Sequence, residues 1–234
     1  MKIVQEISLI SVGSFEESSD WSIIRTEIRE AISLIVHPPD TSSFTINPTK
    51  HGNGVTPIKK ACMIALKDRF GWRLEAPVQF TGVFTTKEKV FLSKVDAART
   101  TDDLPFALEW ETGNISSSHR ALNKMVLGFL TQTLAGGILI LPSRKLYHYL
   151  TDRVGNYDEL FPYFDVWRAV PLEKGFIAIF VIEHDQYDVP HKLNKARRET
   201  RCTIVREITE QQRIMQRKQY STEFKTKAAL EAIK

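Results

Sequence analysis

Residues 105–142 read PFALEWETGNISSSHRALNKMVLGFLTQTLAGGILILP, and the order of textures within this stretch decides the fold. PFALEWE (105–111) is short and rich in apolar and aromatic residues, as a strand should be. A polar turn from Thr112 to Ser118 follows, with Ser116 or Ser117 as the expected N-cap of a helix. HRALNKMVLGFLTQTL then carries apolar residues at helical spacing and is expected to stop at Gly136-Gly137. ILIL (138–141) is continuous and apolar, the texture of a strand covered on both faces. Strand, helix and strand in so short a compass point to an α/β architecture.

Working outward, VQFTGVF (78–84) and KVFLSKV (89–95) join residues 105–111 as a sheet meander. Before them a helix starts at Thr56-Pro57, where proline suits the first turn, and ends at Gly71. An earlier helix is capped in Ser18-Ser19-Asp20 and carries Ile24, Ile28, Ala31, Ile32 and Ile35 on one stripe, with Pro38-Pro39 stopping it. Residues 2–12 read as a strand and 41–54 as loop. On the other side come a short helix (144–151), a turn (152–156), a helical segment (157–164) and the strand FIAIFVIE (176–183). The expectation is a mixed central β-sheet flanked by helices on both faces.

With 234 residues, 42% hydrophobic and 26% charged, the chain reads as one globular domain over 1–190 with an appended tail over 191–234, helical or disordered. No apolar run is long enough for a membrane span and no signal core follows Met1, so a cytoplasmic protein is expected. Cys62 and Cys202 make neither a disulfide framework nor a zinc pattern, and the six histidines show no ligand spacing. Gly52-Asn53-Gly54 lacks the lysine of a phosphate-binding loop. The net charge of +4 is unevenly placed: from Asp188 onward twelve Lys and Arg face six Asp and Glu, which leaves the body slightly acidic.

The chemistry is concentrated in residues 96–120. Glu109 and Glu111 flank Trp110 in a strand texture, and period-two geometry turns both carboxylates to one face. With Asp96 from the preceding strand, three oxygen ligands can hold Mg²⁺ and present a water to a phosphodiester. The same alternation is also what the solvent face of an antiparallel strand carries. Beyond the acids, a helix N-terminus suits phosphate and groove contact; Asn114 and Ser116 can meet base edges and Arg120 a phosphate or guanine. Ordinary capping beside a surface arginine would look alike. Asp152 and Arg153 form a second polar cluster, readable as a local ion pair or as readers of cytosine and guanine. Adjacent Asp102 and Asp103 read as surface acids. Met125, Leu127 and Phe129 read equally as core or as a dimer seam.

Three strings carry a resemblance: ALEWETGNISSSHRALNKM (107–125), FTINPTKHGNGVTPIK (44–59) followed by Trp72, Glu75 and Pro77, and YLTDRVGNYDELFPYF (149–164). In this order and spacing they are similar to the BamHI-type type II restriction endonucleases, of the PD-(D/E)xK superfamily. The resemblance implies a restriction-endonuclease-like core in a homodimer that cuts double-stranded DNA at GGATCC, after the first G, and works alongside a cognate DNA methyltransferase. It implies that Asp96, Glu109 and Glu111 bind Mg²⁺, with Mn²⁺ substituting and Ca²⁺ supporting binding only, and that Glu75 is a further active-site acid. Glu111 stands where most of the superfamily has lysine and is the candidate to position or deprotonate the attacking water. Asn114, Ser116, Arg120, Asp152 and Arg153 match major-groove positions, and Lys59 a site-lining one. The chain departs at Leu130-Thr131, where the family carries a charged Lys-His pair, and after Pro190, where HKLNKARRETRCTIV replaces a minor-groove segment. Two other readings are a catalytically silent DNA-binding protein and a structure-specific repair nuclease on the same fold.

Overall fold

The computed structural model describes residues 1–39, 41–81, 90–187 and Leu193. The elements in chain order are β1 (Lys2–Val12), a 3-10 turn, α1 (Ser19–Ser33), β2 (Thr45–Ile46), α2 (Thr56–Phe70), β3 (Arg73–Thr81), β4 (Val90–Arg99) and β5 (Phe106–Trp110). Then come α3 (Ile115–Leu130), β6 (Gly136–Pro142), α4 (Arg144–Tyr147), α5 (Tyr157–Leu160), a second 3-10 turn, α6 (Phe164–Arg168), β7 (Gly175–Glu183) and β8 (Gln186–Tyr187). Six strands form one sheet in the order β1-β7-β6-β5-β4-β3, and β2 pairs with β8 in a second, two-stranded sheet. The pairs β5–β6 and β6–β7 are parallel, whereas β1–β7, β3–β4 and β4–β5 are antiparallel, which makes the central sheet mixed.

Both faces of that sheet are covered. Phe106, Leu108, Trp110, Ile138 and Ile140 pack with the stripe of α1 and with Ile58, Cys62 and Leu66 of α2. The alternate residues Ala107, Leu139, Ile177 and Ile179 pack under Leu122, Met125 and Phe129 of α3 and Phe164 and Trp167 of α6. Strands buried on both sides carry no polar alternation, which is why β6 is buried along its whole length. Burial pushes the Cys62 thiol up, so it serves as a small core hydrophobe.

Two helix ends follow the expected chemistry. The Ser18 side chain accepts a hydrogen bond from Trp21 N at 3.1 Å, and Gly71 takes φ 75° just past α2. Elsewhere boundaries move. The N-cap of α3 is Asn114, without a side-chain cap bond, so Ser116 and Ser117 lie inside its first turn. The helix ends at Leu130, and Gly136 and Gly137 begin β6 instead of stopping it. They are glycine for packing: a Cβ on Gly136 would lie 2.8 Å from the Phe106 ring, and one on Gly137 2.6 Å from Met125 Sδ. The short helix after β6 is a single turn, and the helical segment beginning at Tyr157 runs on to Arg168 in three pieces. Met125 and Phe129 are core, and Leu127 is partly buried against it. Residues 82–89 of the expected meander lie outside the described residues, as does the tail from residue 191 apart from Leu193. Leu193 is buried, donates its N–H to Asn53 Oδ1 at 3.2 Å and accepts from Gly54 N at 3.0 Å. Among the described residues no helix is long and apolar enough to cross a membrane.

Candidate active site

The β3–β4–β5 region departs from regular strand geometry where the acids sit. Leu74 packs with the α1–α2 side of the sheet and Ala76 with the α3 side; Val95 and Ala97 likewise face opposite sides. Residues two apart in an even strand share a face, so both strands change face at Glu75 and Asp96. These two fall opposite one another in the register, between the pairs Leu74↔Ala97 and Ala76↔Val95, and Glu75 takes φ 49°. The β4–β5 ladder stops at Ala97↔Leu108. Just beyond it, Asp96 Oδ2 accepts the Trp110 N–H at 2.8 Å, so a carboxylate stands where the ladder would continue.

Asp96, Glu109 and Glu111 line one pocket of about 190 Å³, together with Lys59, Trp110, Thr112, Gly113, Ser117, Ala121 and Leu139. Glu109 leaves β5 on the α3 side, while Glu111 lies just past the strand, where its N–H donates to Ile140 O at 2.8 Å. Each acid has internal partners. Lys59 Nζ donates to Asp96 Oδ1 at 2.5 Å. Lys124 Nζ donates to Glu109 Oε1 and, at 2.6 Å, to the carbonyl of Lys94. Glu111 Oε1 accepts from Gly113 N at 2.6 Å, and Oε2 accepts from the hydroxyl of Ser118.

Burial and like charge act together on this pocket. Glu111 is 3% exposed and its carboxyl is pushed up to about 7, first by burial, with the charges of Asp96 and Glu109 adding to it against the bonds from Ser118 and Gly113. Glu109 is also raised, chiefly by burial, although Lys124 opposes the shift. Both acids resist ionisation chiefly because they are buried. All-oxygen donors of this kind suit a hard divalent cation, so Asp96, Glu109 and Glu111 fit such an ion chemically. Among the described residues, however, no three acid, histidine or cysteine side chains converge tightly enough to form a ready metal cage. The carboxylate oxygens are turned to the lysines, Ser118 and backbone donors instead.

The other expected residues divide clearly. Asn114, Ser116 and Arg120 are exposed on the cap and first turns of α3. Asp152 and Arg153 are exposed on the turn before α5. The two groups are brought together by backbone contact: Gly155 N donates to Gly113 O at 2.8 Å, and a Cβ on Gly155 would stand 3.1 Å from both Ile115 Cα and Ser118 Oγ. Glu75 is exposed on β3 and does not line the pocket. Asp102 and Asp103 are exposed, away from the pocket lining. His119 packs its ring against Tyr163 and Trp167, with centroids 4.7 and 5.2 Å away, as a brace between α3 and α6.

Lys124 and Ser118 were not singled out by the sequence. Lys124 lies four residues after Arg120, the helical spacing of one face, which was the available signal. A larger groove of about 650 Å³ between β1 and α1 is no rival, because Arg25 and Arg29 there both pair with Glu6.

The family model described as restriction endonuclease BamHI matches residues 1–197. Over 188 residues the chain is 51% identical to the type II restriction enzyme OkrAI of Oceanobacter kriegii, covering 80% of this chain and 92% of that protein. Over 152 residues it is 36% identical to the type II restriction enzyme BamHI of Bacillus amyloliquefaciens, covering 62% and 68%. The fold is similar to that of restriction endonuclease BglII complexed with a DNA 16-mer, with a TM-score of 0.51, 79% of each chain covered and 12% identity.

Proposed function

The chain belongs to the BamHI family of type II restriction endonucleases, and from that premise we propose that it hydrolyses both strands of DNA at GGATCC, after the first G, with Mg²⁺. The observation that carries this reading is the juxtaposition of three acids in one pocket with the exposed polar residues of α3 and the 150–156 turn. Acids inside and base-reading groups at the rim are what sequence-specific phosphodiester hydrolysis requires.

Asp96, Glu109 and Glu111 would hold the divalent ion, with Glu75, opposite Asp96 in register, as the outer acid of the set. When bound, the ion supplies positive charge to the phosphodiester and acidifies a water. Glu111 would be the residue to orient that water and take its proton: it lines the pocket beside Asp96 and Glu109, and its two oxygens are fixed by Gly113 N and the Ser118 hydroxyl. Lys59 and Lys124 pair with Asp96 and Glu109 and would balance the charge of those carboxylates wherever no ion is bound. Asn114, Ser116, Arg120, Asp152 and Arg153 read the bases in the major groove, and the first turn of α3 meets the phosphates.

A palindromic site calls for a two-fold homodimer. Exposed Phe161, Tyr163 and Val166 on the segment packed beside α3, and Leu130 at its end, support a self-association surface on that side. Pairing with a cognate methyltransferase and Mn²⁺ substitution belong to the same reading. Sequencing of cut ends on genomic DNA with Mg²⁺ tests it. Ends at GGATCC with a four-base stagger are expected; intact DNA, or ends without a common palindrome, would overturn it in favour of a silent DNA-binding protein or a repair nuclease respectively.

A further inference from the structure

We propose that Ser118 is a positioning residue through which base reading sets the Glu111 carboxylate, so that sequence discrimination is expressed in the cleavage step; this rests on the function proposed above. Ser118 lies on the buried side of α3 and is 0% exposed. Its hydroxyl holds Glu111 Oε2, and Gly113 N holds Oε1. Both of these anchors touch the same turn. Gly113 O takes the N–H of Gly155, and Gly155 lies so close to Ile115 and Ser118 that a Cβ would meet both at 3.1 Å.

The chain of contact therefore runs from the turn carrying Asp152 and Arg153, through Gly155, to the N-terminus of α3 and on to both oxygens of one acid. No flexible side chain intervenes, since each link is backbone, glycine or a short serine. A register in which Asn114, Ser116, Asp152 and Arg153 find their bases seats the helix end and the turn together, and Glu111 with them. At a wrong sequence, strain at that end reaches Glu111 through Ser118.

Single-turnover cleavage by Ser118→Ala tests the link, at GGATCC and at sites differing by one base, beside duplex binding measured with Ca²⁺. The expected result is binding within about threefold of the parent and cognate cleavage slowed about 10- to 100-fold, the range for one hydrogen bond to a charged group. One-base-different sites should slow much less, so that the cleavage ratio narrows about tenfold or more. Equal slowing at all sites, or unchanged cognate cleavage, or loss of binding in step with cleavage, would overturn the link. Gly155→Ala, which intrudes from the turn's side, is measured in the same assay and is expected to narrow the ratio likewise; an unchanged ratio in that variant also counts against it. A parent protein that cuts no GGATCC DNA sinks the proposed function and the link together, whereas a parent that cuts leaves the variants to judge the link alone.

Discussion

Glu111 is where the site stores its tension, because a carboxyl 3% exposed and raised from 4.5 to about 7 costs stability whenever it is ionised. Between those two values the folded protein holds a proton that the unfolded chain has released. The stabilising share of this group is thus complete below pH 4.5 and is lost as pH rises through 7. Glu111→Gln keeps the shape and hydrogen-bonding capacity without the charge. In the presence of a chelator it should be more stable than the parent by about 2–3 kcal/mol at about pH 8, and the advantage should vanish near pH 4.5. Urea titrations at several pH values measure this; a gain independent of pH would contradict it. Lys124 is the complementary case, with side chains 17% and 13% exposed in its pair with Glu109. Removing one partner of a largely buried pair leaves a charge uncompensated, so Lys124→Met should lower metal-free stability by about 3 kcal/mol at about pH 8. Added Ca²⁺ should return most of that loss, which melting curves with chelator and with Ca²⁺ would reveal. Glu109 and Glu111 were legible as a pair because their spacing is local, although Glu111 lies just past the end of β5 and not in the strand. Lys124 and Ser118 were not, since nothing in a sequence tells how a helix lies across a sheet.

At the scale of elements, the strand-helix-strand reading of residues 105–142 survives, while the punctuation within it changes meaning. Gly136-Gly137 reads as a helix stop, yet α3 has already ended at Leu130, and the pair instead admits neighbouring side chains to β6. A glycine that ends a helix and one that makes room for a ring look alike in sequence. They differ in what a methyl group does. Gly136→Ala would drive a Cβ to 2.8 Å from the rigid Phe106 ring and should cost about 2 kcal/mol, within the range for overpacking. Gly137→Ala meets Met125, whose unbranched chain can shift, and should cost clearly less. Thermal denaturation of the two variants checks the order; equal or inverted losses would mean that the ring gives way more easily than the thioether. The change of face at Glu75 and Asp96 was also illegible, because it depends on a backbone turn at φ 49° in a residue other than glycine. Opposite that turn in the register, Asp96 shares the pocket with Glu109 beyond the last rung of the β4–β5 ladder.

At the scale of the molecule, charge and fold separate. The formal charge of +4 hides a slightly acidic body and a tail in which Lys and Arg outnumber Asp and Glu two to one. The tail's root is part of the body: Leu193 is buried and held to Asn53 and Gly54, and Asn53 in turn takes the Thr151 hydroxyl at 3.2 Å on its carbonyl, next to Asp152 and Arg153. A truncation meant to isolate the tail's effect must therefore keep Leu193, and Asn194 is the first sound place to stop. On the proposed function, Lys and Arg beyond that point would add affinity by releasing counterions from DNA, with no preference for sequence. The shortened protein should bind a duplex lacking GGATCC more weakly at about 50 mM salt, and its affinity should fall less steeply as salt rises, by about one unit of slope for each phosphate the tail no longer neutralises. Specific binding in Ca²⁺ should shift by the same nonspecific factor and keep the proposed preference for GGATCC, because the residues proposed to read bases all lie in the body. Fluorescence anisotropy across a salt series decides the matter: identical slopes for the full and shortened chains would remove the tail from DNA binding altogether.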